Sequence, residues 1–284
     1  VTALVPAWFW AGCAALLGLV IGSFLNVVVY RMPRGMSVVG VGSPSACPSC
    51  GHHITWAENV PVASYLVLRG RCSACRGAIS VRYPVVEAGT AVLFALIGYR
   101  FAADPWVIPA WLLLAALAVA LSGIDIDTYT LPDPLVAACY WGGGLLLLGA
   151  SVLGTAGPEA LGRAGIGLVA SAVFHFVAWF CYPRGMGFGD VKLSGAIAMY
   201  LGWLGWGPLV IGVFASYLLG LLGAVPVLWA RRHHPDRHSG PHDQDPAVTS
   251  RGIPFGPFMF AGAVVGVVAG TPLSDLYLHL TGLR

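Results

Sequence analysis

Ala110-Trp-Leu-Leu-Leu-Ala-Ala-Leu-Ala-Val-Ala-Leu-Ser-Gly-Ile-Asp125-Ile-Asp-Thr-Tyr-Thr-Leu-Pro-Asp133 runs from unbroken apolar side chains straight into a cluster of carboxylates. A run of this kind predicts a helix inside a bilayer, and an ionisable group where such a helix ends is costly enough to imply a function. A second string, Gly187-Phe-Gly-Asp190-Val-Lys192-Leu, opens another apolar segment with another aspartate. Two such carboxylates suggest an aspartyl protease.

The rest of the chain is of the same kind. Over 284 residues, 57% are hydrophobic, 10% are charged and the mean hydropathy is +0.79, which leaves too little polar surface for a water-soluble domain. The expected class is an all-α polytopic membrane protein of about eight transmembrane helices. The spans fall near 8–30, 84–103, 106–124, 134–153, 163–182, 190–204, 207–230 and 255–275, the sixth being short and glycine-rich. Trp8, Trp10, Trp106, Trp203, Trp206 and Trp229 lie near proposed ends, where indole prefers the interface.

Basic residues set the expected orientation. With the N-terminus outside, 12 of the 15 Lys and Arg fall on inner loops, and only Arg100, Arg163 and Arg284 fall outside. No basic residue precedes the first span and Arg31 and Arg34 follow it, the reverse of a cleavable signal, so it is expected to remain as an anchor. The net charge of +3 is then a topology signal and gives no reason to invoke nucleic acid. The expected location is a membrane crossed several times, with both acidic strings at the cytoplasmic face.

Two polar segments interrupt the spans. Residues 231–253 are rich in His, Asp and Pro and read as a cytoplasmic loop. Residues 31–83 contain Cys47-Pro-Ser-Cys50 and Cys72-Ser-Ala-Cys75, close to the spacing of a four-thiolate zinc ribbon. About fifty residues cannot hold themselves together by burial alone, and a metal would supply the missing folding energy. Disulfides or free thiols are the alternatives, disfavoured in a reducing compartment. The expected organisation is therefore a first transmembrane helix (1–30), a small cytoplasmic zinc-ribbon-like domain (31–83) and a seven-helix membrane catalytic domain (84–284).

These residues resemble the bacterial type IV prepilin peptidases, aspartyl membrane proteases with a Gly-x-Gly-Asp motif. Gly22-Ser-Phe-Leu-Asn26-Val-Val-Val-Tyr-Arg31 is similar to that family's opening motif, and Cys47 through Glu87 to its cytoplasmic zinc-type domain. Asp125 to Asp133 and Gly187 to Leu193 resemble its two active-site motifs, and Ile253-Pro-Phe-Gly-Pro-Phe its final span. The resemblance covers nearly the whole chain and implies the bacterial inner membrane as its location. It implies cleavage of the leader from type IV prepilins or type II secretion pseudopilins, after a Gly, with Asp125 and Asp190 as the catalytic pair. It also implies N-methylation of the new terminus using S-adenosylmethionine, although no Rossmann-type glycine fingerprint is present to hold that donor.

The chemistry can be argued independently. Two carboxylates a few ångström apart do not both ionise easily, so one holds a proton while the other activates a water. Asp127 is two residues from Asp125 and points to the other side of a helix, so it reads as an interfacial charge, and Asp133 as a first-turn carboxylate of the next helix. Gly185, Gly187 and Gly189 offer positive φ and close backbone approach to a substrate strand. Gly187, Gly189 and Lys192, the only lysine, are the candidate substrate-binding residues, although Lys192, two residues from Asp190, would not face that acid on a regular helix and reads equally as a snorkelling interfacial anchor. His175 reads as a neutral imidazole bonded to a neighbouring helix, and Asn26, Arg31 and Glu87 as supports of the cytoplasmic mouth. A presenilin-like protease shares Gly-x-Gly-Asp, but the Tyr-Asp and Pro-Ala-Leu strings of that class are missing. The alternative of another kind is a zinc-ribbon membrane scaffold for pilus or secretion assembly without catalysis.

Overall fold

The computed structural model describes residues 5–38, 45–183, 185–233 and 253–282. Nine α-helices are found among them: α1 (Ala7–Arg31), α2 (Ala63–Val67), α3 (Arg82–Arg100), α4 (Ile108–Thr128), α5 (Asp133–Leu153), α6 (Gly157–Cys181), α7 (Phe188–Leu204), α8 (Trp206–His233) and α9 (Gly256–Leu280). The only β-structure among the described residues is a pair of isolated bridges, Ala46 with His53 and Arg71 with Ala78.

The eight long helices overlap the eight expected spans. Six of them, α1, α4, α5, α6, α8 and α9, have the length and apolarity to cross a membrane. The other two lack it for different reasons. Helix α3 carries Arg82, Glu87 and Arg100 in 19 residues. Helix α7 has 17 residues, about 26 Å of rise against a hydrocarbon core of about 30 Å. Helix α8 runs to His233, so the expected loop at 231–253 begins later than its sequence suggests, and 234–252 lies outside the described residues, as do Arg184 and Arg284.

The chain divides into two compact units, Val1–Ile124 and Asp125–Arg284. In the first, α1 packs on α3 through glycines. A Cβ at Gly18 would stand 2.7 Å from the Ala91 Cα, and one at Gly22 would stand 2.8 Å from the Glu87 Cα. Such close backbone approach is how helices gain dispersion energy where lipid competes equally for apolar side chains. Ala14, Phe94 and Ala115 form the buried centre, with Ile21, Leu93, Ile97 and Leu112 around it.

The second unit is built around α7. Every residue from Asp190 to Trp203 except Lys192 is buried, which explains a helix that is apolar all round. Helices α5, α6, α8 and α9 all contact it. Gly167 and Gly202 let α6 and α7 approach, a Cβ at Gly202 standing 2.7 Å from the Arg163 carbonyl oxygen. Meanwhile Trp141, Leu145, Val152, Ile166, Val210, Leu221 and Val268 point outward, an apolar exterior suited to lipid. This is an integral membrane protein.

Candidate active site

Asp125 begins the last turn of α4. The helix stops because Tyr129 takes φ +56°, a left-handed conformation costly for a side-chain-bearing residue, and because Pro132 has no N–H to continue it. Before the turn ends, the Tyr129 N–H donates to the Asp125 carbonyl at 2.9 Å. The chain then passes through Leu131 into α5.

Asp190 occupies the first turn of α7. Its N–H donates to the Gly187 carbonyl at 3.1 Å, and the Gly187 N–H donates back to Asp190 Oδ2 at 3.2 Å. This reciprocal cap uses one of the donors that a helix start leaves unpaired and so fixes the carboxylate. Asp125 is held in the same manner from a different helix: Gly256, first residue of α9, donates its N–H to Asp125 Oδ2 at 3.0 Å.

Leu131 ties the two acids together. A Cβ at Gly189, next to Asp190, would meet the Leu131 Cβ at 3.1 Å, and one at Gly256 would meet the Leu131 Cδ2 at 3.5 Å. Both carboxylates are buried, 5% and 8% exposed, and Asp125 is near enough to act electrostatically on Asp190. Thus the ends of α4, α7 and α9 deliver two shielded, mutually interacting acids. Such a pair can share one proton and activate a water.

The other acidic residues differ. Asp127 is exposed, as expected of an interfacial charge. Asp133, in the first turn of α5, accepts from Lys192 Nζ at 2.8 Å, and that ammonium lies 5.2 Å from the centre of the Phe188 ring. The glycines of the second motif act differently from expectation. None of Gly185, Gly187 and Gly189 has positive φ, and Gly187 is extended at φ −71°. At Gly187 and Gly189 the requirement is space: a Cβ at Gly187 would stand 3.2 Å from Asp190 Oδ2, and at Gly189 it would press on Leu131. His175 is also corrected, for its Nδ1–H bonds to the Ser171 carbonyl of its own helix at 2.8 Å, and it meets α8 by stacking on Tyr217.

The four cysteines converge as their spacing predicts. Their Sγ atoms all lie within 4.8 Å of one another, Cys47 and Cys75 at 3.9 Å. A tetrahedral zinc with Zn–S of about 2.3 Å requires S···S edges of about 3.8 Å, so the set fits the ion. Two matching turns present them: the Cys47 N–H donates to the His52 carbonyl and the Cys72 N–H to the Gly77 carbonyl, each at 2.9 Å. The N–H groups of Ser49 and Cys50 lower the Cys47 thiol to about 6. Although the His52 N–H favours its thiolate, Cys50 is pushed up to about 11 by desolvation and by sharing the site with Cys75 and Cys47. A divalent cation would relieve that conflict. His52 is not a ligand; its Nε2 pairs with Glu58 at 3.3 Å. Ser73 and then Thr55, by their hydrogen bonds, hold the Glu58 carboxylate at about 2.

Asn26, Arg31 and Glu87 all make polar contacts with backbone. Glu87 accepts from the Val62 N–H at 2.7 Å, Asn26 Nδ2 donates to the Tyr83 carbonyl at 3.3 Å, and Arg31 donates to the Ser37 carbonyl at 3.3 Å. The parts played by Gly256 and Leu131 were not read from the sequence; the Pro-Phe-Gly-Pro string was the signal for the first, and the place of Leu131 inside the Asp125 to Asp133 motif was the signal for the second.

Residues 16–101 match the bacterial peptidase A24 N-terminal domain and residues 112–225 match the type IV leader peptidase family. The chain is 35% identical over 302 aligned residues to the prepilin leader peptidase/N-methyltransferase of Aeromonas hydrophila, covering 95% of this chain and 94% of the relative. The chain belongs to the type IV leader peptidase family. A protein of the same name from Pseudomonas aeruginosa is 34% identical over 294 residues (96% and 94% covered), and one from Neisseria gonorrhoeae is 35% identical over 250 residues (78% and 83%). No solved structure gives a significant match. The peptidase match takes in both aspartates, and the N-terminal match takes in all four cysteines of the cluster.

Proposed function

We propose that this leader peptidase family member removes the leader from prepilins or pseudopilins with Asp125 and Asp190 as its catalytic pair. The observation that carries the assignment is the convergence of two buried carboxylates from chain-distant helix ends, each anchored by a backbone N–H at the start of a helix.

The reaction follows from one shared proton. The ionised aspartate takes a proton from water as the water oxygen attacks the scissile carbonyl carbon, and the protonated partner gives its proton to the carbonyl oxygen, producing a gem-diol. On collapse, the first aspartate passes its new proton to the departing nitrogen while the second recovers one from the diol. The C–N bond breaks, one water is consumed and the pair returns to its starting state. The N–H donors of Gly187 and Gly256 hold the carboxylates still throughout.

The substrate site is read from the same surroundings. Gly187 keeps a side chain away from the Asp190 carboxylate and Gly189 keeps one off Leu131, so a peptide backbone can approach, and Lys192, half-exposed and paired with Asp133, is the third residue assigned to the substrate. Cleavage after the leader's Gly, at the cytoplasmic boundary of the pilin's apolar helix, suits acids at the ends of helices. The positive-inside count supports this orientation. Cys47, Cys50, Cys72 and Cys75 would hold a zinc ion, which would supply a structural tie for the loop that carries them.

The relatives' names carry a second activity, N-methyl transfer. Among the described residues there is no strand and therefore no strand–turn–helix cradle for S-adenosylmethionine of the Rossmann type. The methyl reading rests on kinship alone.

The test is cleavage of a prepilin by purified protein. Asp125→Asn and Asp190→Asn should each abolish it, and the double variant should be no worse than either. Mass spectrometry of the products should place the cut after the leader's Gly. A cut deep in the apolar segment would reject this substrate reading.

A further inference from the structure

Within the same unit, α8 carries a polar group that the dyad chemistry does not use. The Tyr217 hydroxyl is shielded from solvent and has no hydrogen-bond partner among the described residues. Buried phenols ordinarily find one, and an orphan calls for an explanation. Its ring is held on three sides. His175 stacks on it with centroids 5.6 Å apart and planes 24° apart, Phe174 meets it edge-on at 6.1 Å, and Phe255 packs at 5.4 Å. The His175 ring is itself fixed by the bond from Nδ1 to the Ser171 carbonyl.

These contacts lead to both aspartates. Phe255 directly precedes Gly256, whose N–H holds Asp125, and the Tyr217 phenol is close enough to feel the charge of Asp190. A rigidly held donor with no partner among the described residues therefore sits in the aromatic cluster that adjoins Gly256, the residue whose N–H holds Asp125.

We propose that Tyr217 is a third catalytic residue, whose hydroxyl donates a hydrogen bond to the scissile carbonyl oxygen of the bound prepilin as that oxygen gains negative charge. A donor fixed before the substrate arrives need not reorganise during reaction, and the orphaned hydroxyl is satisfied only in the complex. The inference rests on the assignment of Asp125 and Asp190 as the pair. No proton is transferred from Tyr217.

Tyr217→Phe keeps the ring and its stacking and removes only the hydroxyl. Its kcat for a prepilin should fall about 100-fold, with KM within about twofold of wild type. Its midpoint of thermal unfolding should be no lower than wild type, since an unpaired buried polar atom has been removed. A gem-diol-mimicking peptide should lose inhibitory potency by a similar factor, while a product peptide should not. A kcat within about threefold of wild type, with Asp125→Asn and Asp190→Asn inactive in the same assay, overturns the role of Tyr217 alone. Wild-type turnover by either Asp variant overturns the dyad and this inference with it.

Discussion

Gly256 donates its N–H to Asp125 Oδ2 at 3.0 Å, so an acid at the end of α4 is positioned by the first residue of α9, 131 positions away. A Cβ at Gly256 would lie 2.9 Å from that same oxygen. Gly256→Ala should therefore push the carboxylate aside while leaving the helix intact. Losing a hydrogen bond to a charged group corresponds to a fall in kcat of about tenfold or more. Steady-state cleavage beside circular dichroism decides it: an active, folded Gly256→Ala would show that this anchor does not set the rate.

Asp127 offers the contrasting case. It lies two residues from Asp125 and is exposed, so Asp127→Asn should keep turnover within about twofold, in line with surface substitutions generally. Retained activity in Asp125→Asn together with loss in Asp127→Asn would move the first catalytic role to Asp127.

Much of this architecture is legible because its signals are local. Apolar runs place eight helices, Pro132 and Pro257 mark where helices begin again, and the cysteine spacing brings four thiols to one point. Asp125 and Asp190 are readable because a carboxylate beside an apolar run is anomalous wherever it occurs. Gly256 is different in kind. Its contribution is a backbone N–H, which every residue except proline possesses, so no residue type advertises it. Leu131 is one leucine among many, and Tyr217 acts through an absent partner that only packing reveals. The glycines of the second motif invited a reading in φ, yet the constraint is the space beside Asp190 and Leu131.

The cysteine cluster should retain about one equivalent of zinc, and Cys47→Ser or Cys72→Ser should release it and increase amide exchange across residues 45–80. Glu58 clamps the first turn through the Thr55 N–H at 2.8 Å and through His52. Its carboxyl is lowered to about 2, so its contribution is complete above the ordinary carboxylate range and fades only as pH falls toward 2. Glu58→Gln should accordingly speed zinc loss to a chelator by a similar factor throughout about pH 6 to 8. A zinc-free, freshly reduced preparation with an unchanged fold would defeat the metal reading, and a Glu58→Gln deficit confined to one end of that range would defeat the clamp.

Leu131 and Gly189 should behave as one unit. A Cβ at position 189 would lie 3.1 Å from the Leu131 Cβ and 3.3 Å from its Cδ1, tighter than the pair can absorb without a shift of Leu131. Because Leu131 also lies next to Gly256, its Cδ2 3.5 Å from where a Cβ there would stand, that shift reaches the surroundings of the group holding Asp125. Gly189→Ala should slow cleavage about tenfold, a loss for misplacement rather than for removal of a catalytic group. Leu131→Ala keeps the Cβ but removes Cγ and both Cδ carbons, which clears the 3.3 Å contact and leaves a smaller side chain free to shift away from the remaining one, at the cost of looser packing around both acids. The double variant should then be faster than the product of the two single effects, with a coupling of at least about 0.5 kcal/mol in the activation free energy. Strict additivity in that cycle, measured as kcat on one prepilin, would mean that Leu131 does not connect the two aspartates.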